Sequence, residues 1–158
     1  LIGEWTDDHF FNGFGRDLNK GRDYIGTLRG VVDQYSRKWT TQRNGKGTCT
    51  TGDGVVFDGL WLNDRKSGHG VETYPDGTQY VGNFEAGYYE GFGVMIWKRA
   101  KGNRIYTGEW KRSKMDGYSR FQKGTITTYR RYRDGQKIEE INEQQAKVKM
   151  VDVPTQGG

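Results

Sequence analysis

Catalysis needs side chains that attack, exchange a proton or hold a metal, and this chain of 158 residues offers few of them in workable spacing. Its two histidines, His9 and His69, are far apart in sequence. His69 stands between Gly68 and Gly70 and reads as a surface or interlayer ring; a general base would need a nucleophile or acid that no motif supplies. The single cysteine, Cys49, lies in Gly47-Thr48-Cys49-Thr50-Thr51 without a catalytic signature around it, and reads as a structural thiol on a strand. One Cys and two distant His make no zinc pattern. Asp53-Gly54, Asp76-Gly77 and Asp134-Gly135 are turn dipeptides that lack the alternating acids of a calcium loop. Gly13-Phe14-Gly15 and Gly68-His69-Gly70 suggest a nucleotide loop, yet neither completes G-x-G-x-x-G ahead of a helix or brings a phosphate-binding lysine and hydroxyl. The expectation is no catalytic residue, no metal and no cofactor.

Two other sets point to binding. Between residues 98 and 133 there are twelve Lys and Arg against two acids, whereas the remainder of the chain is net acidic. Such segregation favours an anionic partner for the stretch. Lys98, Arg99, Arg104, Lys111, Arg112, Arg130, Arg131 and Arg133 are the candidates for an anion- or lipid-binding site, with Lys101, Lys114, Arg120 and Lys123 among them. Acidic phospholipid or an acidic protein segment would answer such a cluster; nucleic acid ranks last, because no nucleic-acid module is present. The second set is aromatic. Trp61, Tyr80, Phe84, Trp97, Tyr106 and Trp110 are the candidate partner-binding rings, since exposed Trp and Tyr beside Arg make binding hot spots.

Elements must position these groups, and composition narrows which. Hydrophobic residues are 32% of the chain, while there are 25 Gly, 10 Tyr, 7 Phe and 5 Trp but 2 Pro. Chains poor in aromatics stay disordered; this one is rich in them. Glycine and aromatics spread evenly imply repeated turns and thin layered packing. A lone cysteine suggests a reducing, cytoplasmic compartment. No apolar run is long enough for a membrane helix, and no secretory signal is visible. The start at Leu1, inside a repeat, reads as part of a longer chain.

The repeat is explicit. Tyr80, Gly82, Phe84, Gly87, Gly91 and Gly93 occupy offsets 0, 2, 4, 7, 11 and 13. The preceding unit places Phe57, Gly59, Trp61, Asp64, Gly68 and Gly70 in that frame, and the following one Tyr106, Gly108, Trp110, Ser113, Gly117 and Ser119. Leu1, Gly3 and Trp5 open an earlier unit closed by Gly13 and Gly15. Tyr24, Gly26 and Leu28 open another, closed at Gly45 and Gly47 after an insertion near 30–42. Thr128, Arg130, Tyr132 and Gly135 make a terminal half unit of the kind that caps a solenoid. Even offsets share one face of a strand, so the ring–glycine–ring pattern leaves a gap that a ring of the neighbouring hairpin is expected to fill. Offsets 5 to 10 turn the chain, and isolated hairpins must stack to be stable.

Residues 57–70, 80–93 and 106–119 resemble the MORN (membrane occupation and recognition nexus) repeat, Y-x-G-x-W-x-x-G-x3-G-x-G. The resemblance implies an all-β fold, an elongated single layer of stacked antiparallel β-hairpins, over 1–135. A C-terminal α-helix is expected over 136–151, covering a sheet edge, with a flexible tail at 152–158. The resemblance also implies a non-catalytic scaffold that binds a partner protein in a cytoskeletal, ciliary or membrane-associated assembly. Two alternatives stand beside it: a module that targets anionic membrane through the basic stretch, and an accessory part of a larger enzyme. Open sheet ends leave self-association as a further partner expectation.

Overall fold

The computed structural model describes residues 2–6, 10–18 and 22–150. They form two compact units, residues 1–75 with 85–87, and 76–84 with 88–158. In the first unit, strands β1 (Ile2–Thr6), β2 (Phe10–Asp17), β3 (Arg22–Val32), β4 (Trp39–Thr51), β5 (Val56–Leu62) and β6 (Arg65–Thr73) pair antiparallel in sequence order. In the second, β7 (Gln79–Glu85), β8 (Tyr88–Trp97), β9 (Arg104–Lys111), β10 (Lys114–Lys123), β11 (Ile126–Arg133) and β12 (Gln136–Ile141) follow the same rule, and helix α1 (Glu143–Lys149) comes last. The all-β hairpin array read from the repeat is the fold observed.

The hairpins opened by Phe57, Tyr80, Tyr106 and Thr128 turn at offsets 6 and 7, and both residues of each turn lie at positive φ. The pairs are Asn63 (49°) with Asp64 (66°), Ala86 (51°) with Gly87 (94°), Arg112 (47°) with Ser113 (63°), and Asp134 (53°) with Gly135 (83°). Two successive left-handed residues give the turn whose twist matches the flanking strands. Asp64 and Ser113 replace the repeat glycine for a reason beyond tolerance of this conformation. Asp64 Oδ1 accepts the backbone N–H of Arg43 at 2.9 Å, while the Asp64 N–H donates to the Arg43 carbonyl at 3.1 Å. Ser113 does the same with Tyr89, at 3.1 and 3.0 Å. The side chain therefore fastens each turn to the return strand of the preceding hairpin.

A lane of glycines runs across the strands of each unit. In the first unit Gly15, Gly26, Gly47, Gly59 and Gly70 face one another in register; in the second Gly93, Gly108 and Ser119 do. The gap above the lane is filled by the strand's own offset-0 ring, not by a ring of the next hairpin as expected. A Cβ on Gly70 would lie 2.5 Å from Phe57, and one on Gly93 would lie 2.4 Å from Tyr80. The ring lies down along its strand with or without a hydroxyl, as Phe57 does, and where a hydroxyl is present it reaches the carbonyl three residues on. Tyr24 donates to Thr27 at 2.8 Å, Tyr80 to Asn83 at 3.0 Å and Tyr106 to Glu109 at 2.9 Å.

The C-terminal segment differs from the expected helix over 136–151. Residues 136–141 form β12, and the helix is confined to Glu143–Lys149. Cross-strand charge decides this: Arg130 faces Glu140 at 3.4 Å and Arg131 faces Glu139 at 3.7 Å, one pair on each face of the strands. Asn142 then starts α1 with a capping box to Gln145. Lys149 of the helix lies 5.2 Å over the Tyr118 ring of β10, so α1 returns over a sheet face and does not cover the β12 edge. The insertion near 30–42 lengthens the β3–β4 hairpin. The expected tail at 152–158 lies outside the described residues.

Candidate functional site

The lane and its rings build an interior on the front face of each sheet, and the aromatic candidates are mostly part of it. In the second unit Tyr80 stacks on Tyr89 at 3.7 Å and meets Phe84 and Trp110 edge-on at 5.2 and 5.5 Å. Tyr106 meets Trp110 at 5.1 Å, and the indole N–H of Trp110 donates to the Gly93 carbonyl at 3.4 Å. In the first unit Trp61 lies edge-on to Phe57 and Tyr24, and its N–H donates to the Gly47 carbonyl at 3.0 Å. Trp61, Tyr80, Phe84, Tyr106 and Trp110 are thus buried. Burial takes them off the surface on which a partner-binding role was expected. Trp97 alone of the set stays half exposed, tilted against Phe121 at 6.4 Å. Burial also pushes the Tyr24 hydroxyl up to about 12, and those of Tyr80 and Tyr106 higher still.

Exposed aromatics sit elsewhere, on the lengthened hairpin. Beyond Leu28 and Arg43, β3 and β4 continue for four register pairs, ending at Val32 opposite Trp39. Four residues of strand reach roughly 14 Å. Tyr35, at the tip, is 89% exposed and Trp39 44% exposed, with Val32 beside it and Arg37 and Lys38 between. The tip is a built turn. Asp33 Oδ1 accepts the N–H groups of Ser36 and Tyr35 at 2.6 and 3.1 Å, and the first of these holds its carboxyl below the usual carboxylate range. Sequence reasoning located the insertion but not its role in display, because the repeat frame describes only what the inserted residues interrupt.

A recess of about 210 Å³ opens on the front face of the first unit over Cys49, Phe57 and Trp61. The Arg43 guanidinium lies 4.4 Å from the Trp61 ring, donates to Asp64 at 3.0 Å and reaches the Cys49 sulfur at 3.8 Å. The Lys66 ammonium contacts Glu72, whose other oxygen accepts from the Tyr74 hydroxyl at 3.2 Å. Burial lowers Lys66 to about 8. The charges lining this recess are tied to one another and to the aromatic floor. Arg22 and Arg65 stand exposed at its rim. Cys49 is buried on β4, in the structural place expected of it.

The basic stretch is not one surface. Lys98, Arg99, Lys101, Arg104 and Lys123 gather at the sheet end formed by the β8–β9 and β10–β11 loops. Lys111, Arg112, Lys114 and Arg133 lie at the opposite end, where Lys114 pairs with Asp134 at 2.7 Å. Arg130 points to the front face, stacked 4.3 Å from Phe121. Arg131 is on the back, 5.3 Å from Tyr118, and Arg120 shares that face. Strand parity distributes neighbours in sequence over both faces, so the net charge of a segment says little about where its charge gathers.

The MORN repeat model matches residues 42–56, 57–79, 80–99 and 106–122. Among curated relatives, the human ALS2 C-terminal-like protein is 32% identical over 80 residues, 49% of this chain and 8% of that protein. Human Alsin is 38% identical over 65 residues, 40% of this chain and 4% of that protein, and mouse Alsin matches to the same extent. The chain spans less than a tenth of the length of these relatives.

Proposed function

On the premise that this chain belongs to the MORN repeat family, we propose that it is a non-catalytic module of a larger protein, and that it docks a partner protein. The observation that carries this reading is the β3–β4 arm. Its Val32, Tyr35 and Trp39 side chains project from a preorganised turn beside Arg37 and Lys38, while the repeat rings are consumed in packing. Rigid aromatic residues next to cations are what interface hot spots use, and a turn already in place lowers the ordering cost of binding. The arm is the insertion near 30–42 within the unit opened by Tyr24, beyond the register pair Leu28–Arg43.

The test is capture of partners from whole-cell lysate by the complete chain, at low and at high salt, with Tyr35→Ala/Trp39→Ala in parallel. A discrete protein set that survives high salt and disappears with the double variant is the expected result. Retention of anionic membranes only, lost at high salt and indifferent to the variant, overturns the reading. A second reading, attachment to anionic membrane, draws on the five clustered cations at one end of the second unit.

A further inference from the structure

The front face of the second unit ends on a row that violates the charge pairing kept elsewhere in the sheet. Arg104 of β9 and Lys123 of β10 are direct cross-strand partners, and both are exposed. Directly opposed side chains lie about 5 Å apart at Cβ, where like charges are destabilising. Lys111 and Lys114 also face each other, at the other end of that hairpin, but there Asp134 neutralises Lys114. Among the described residues no carboxylate pairs with Arg104 or Lys123. The adjoining loop adds Lys98, Arg99 and Lys101 to the excess. Asp76, which feels Arg99, is already occupied by the Thr78 N–H at 2.8 Å.

The surroundings of this row are incomplete in a second way. Trp97 is the partner of Arg104 across β8, and Phe121 lies one row inward, so two rings floor the corner. Thr128 faces Phe121 from β11, and its buried hydroxyl has no hydrogen-bond partner. Arg130 Nε is likewise buried without one, its ion pair to Glu140 being 3.4 Å long. Buried donors and acceptors in native proteins are nearly always satisfied. Uncompensated like charges, orphan polar atoms and an aromatic floor therefore converge on one corner. Local rules broken together in this way mark functional sites.

We propose that this corner is a docking site for an acidic protein segment. A carboxylate of the segment sits between Arg104 and Lys123, and a neighbouring apolar side chain rests on Trp97 and Phe121. The occupant is a peptide segment because the corner extends inward. Arg130 is four residues along β11 from Ile126, the first residue of that strand, roughly 14 Å at strand rise. A flat anionic bilayer would touch the loop cations and Ile126 without reaching the front-face groups. The inference rests on the reading of the chain as a protein-docking module and names one class of partner for it.

Lys123→Glu tests it in a direction that unfolding cannot imitate, because the variant turns the repelling row into an opposite pair with Arg104. Its thermal midpoint is expected to rise. At the same time, binding of a fluorescein-labelled peptide of repeating Glu-Glu-Phe, read by anisotropy, is expected to weaken by about tenfold. Lys46→Glu, on a strand of the first unit, makes an equal charge change and leaves peptide binding as it was. Vesicles of phosphatidylserine and phosphatidylcholine form the second arm and are expected to bind weakly. Peptide binding that survives Lys123→Glu, or is lost equally with Lys46→Glu, overturns the proposal. So does tight vesicle binding without peptide binding. If partners captured from lysate persist with Lys123→Glu but vanish with Tyr35→Ala/Trp39→Ala, this site fails while the docking function stands.

Discussion

Gly93→Ala should be the most damaging single-methyl addition in the second unit. The new Cβ would stand 2.4 Å from the Tyr80 hydroxyl oxygen and 2.6 and 2.7 Å from ring carbons. All three contacts are shorter than real Cβ contacts, and the ring has nowhere to retreat: Tyr80 is fully buried and boxed in by Tyr89, Phe84 and Trp110. Overpacking of this kind costs about 1–3 kcal/mol, and a displaced ring also gives up the bond to the Asn83 carbonyl, about 1 kcal/mol more. The reference is Gly102→Ala. That residue has φ 98° with nothing within 4 Å of its Cβ, so only backbone strain of about 1–2 kcal/mol applies. Urea unfolding of both variants reads the difference. Tyr80→Phe should not rescue Gly93→Ala, because ring carbons clash as well as the hydroxyl; Gly70 is crowded just as closely by Phe57, which has no hydroxyl. Tyr80→Val should rescue in part, with a coupling of about 0.5–3 kcal/mol in the double-mutant cycle. If Gly93→Ala proves no more destabilising than Gly102→Ala, or if Tyr80→Phe relieves it, the account of the lane is wrong.

Other outcomes follow from the same geometry. Trp61→Ala and Trp110→Ala should each cost about 3–5 kcal/mol and show as loss of folding in chemical denaturation, not as selective loss of a partner, since both rings are buried. Asp64→Ala should cost about 2 kcal/mol, as it removes the acceptor for the Arg43 N–H and keeps a strained φ. Asp64→Gly should cost less than Asp64→Ala, because glycine relieves the strain and forfeits only the bond; an equal loss would show that φ is not limiting. Alkaline titration should unfold the protein. Tyr24, Tyr80 and Tyr106 ionise in the unfolded chain near pH 10 but higher in the fold. Their contribution is therefore complete below pH 10 and lost as pH rises toward 12 and beyond. Ionisation of Tyr24, Tyr80 or Tyr106, followed ring by ring in NMR spectra, that runs ahead of loss of ellipticity would contradict this.

The repeat frame made the hairpins legible because its positions are set by backbone requirements visible residue by residue. Offset 7 asks for a left-handed residue, and Gly, Asp and Ser meet that demand in recognisable ways. Offset 2 asks for no side chain wherever an offset-0 ring lies over it, and there only glycine answers. What the frame could not show is which way a ring falls. Parity places Tyr80 and Phe84 on one face, but it does not show that the Tyr80 ring lies over its own glycine with its hydroxyl on the Asn83 carbonyl. The same limit hid the burial of Trp61 and Trp110, whose indole N–H groups find carbonyls on the preceding strand. The segment 136–141 was misread for a related reason. Helix-forming residues such as Lys137, Glu139 and Glu140 are overruled by a turn at Asp134-Gly135 and by Arg130 and Arg131 across the ladder, and local propensity carries no record of either.

A fold whose interior repeats has a consequence for where specificity can lie. The rings and lane glycines do the same work in the hairpins opened by Tyr24, Phe57, Tyr80 and Tyr106, so they define the platform and cannot distinguish one partner from another. Information must sit where the repetition breaks. Two kinds of break occur in this chain. Asp64 and Ser113 depart from glycine yet recover the turn by bonding to the preceding strand, so these departures are absorbed locally. The β3–β4 arm and the Arg104–Lys123 row are not absorbed: the first exposes Tyr35 and Trp39 to solvent, and the second leaves like charges facing each other near the unpartnered Thr128 hydroxyl. A departure that lowers stability and goes unrepaired inside the chain is the kind whose repair a partner supplies. Replacing such a position should therefore raise stability and lower binding together, whereas replacing Asp64 or Ser113 should lower stability alone.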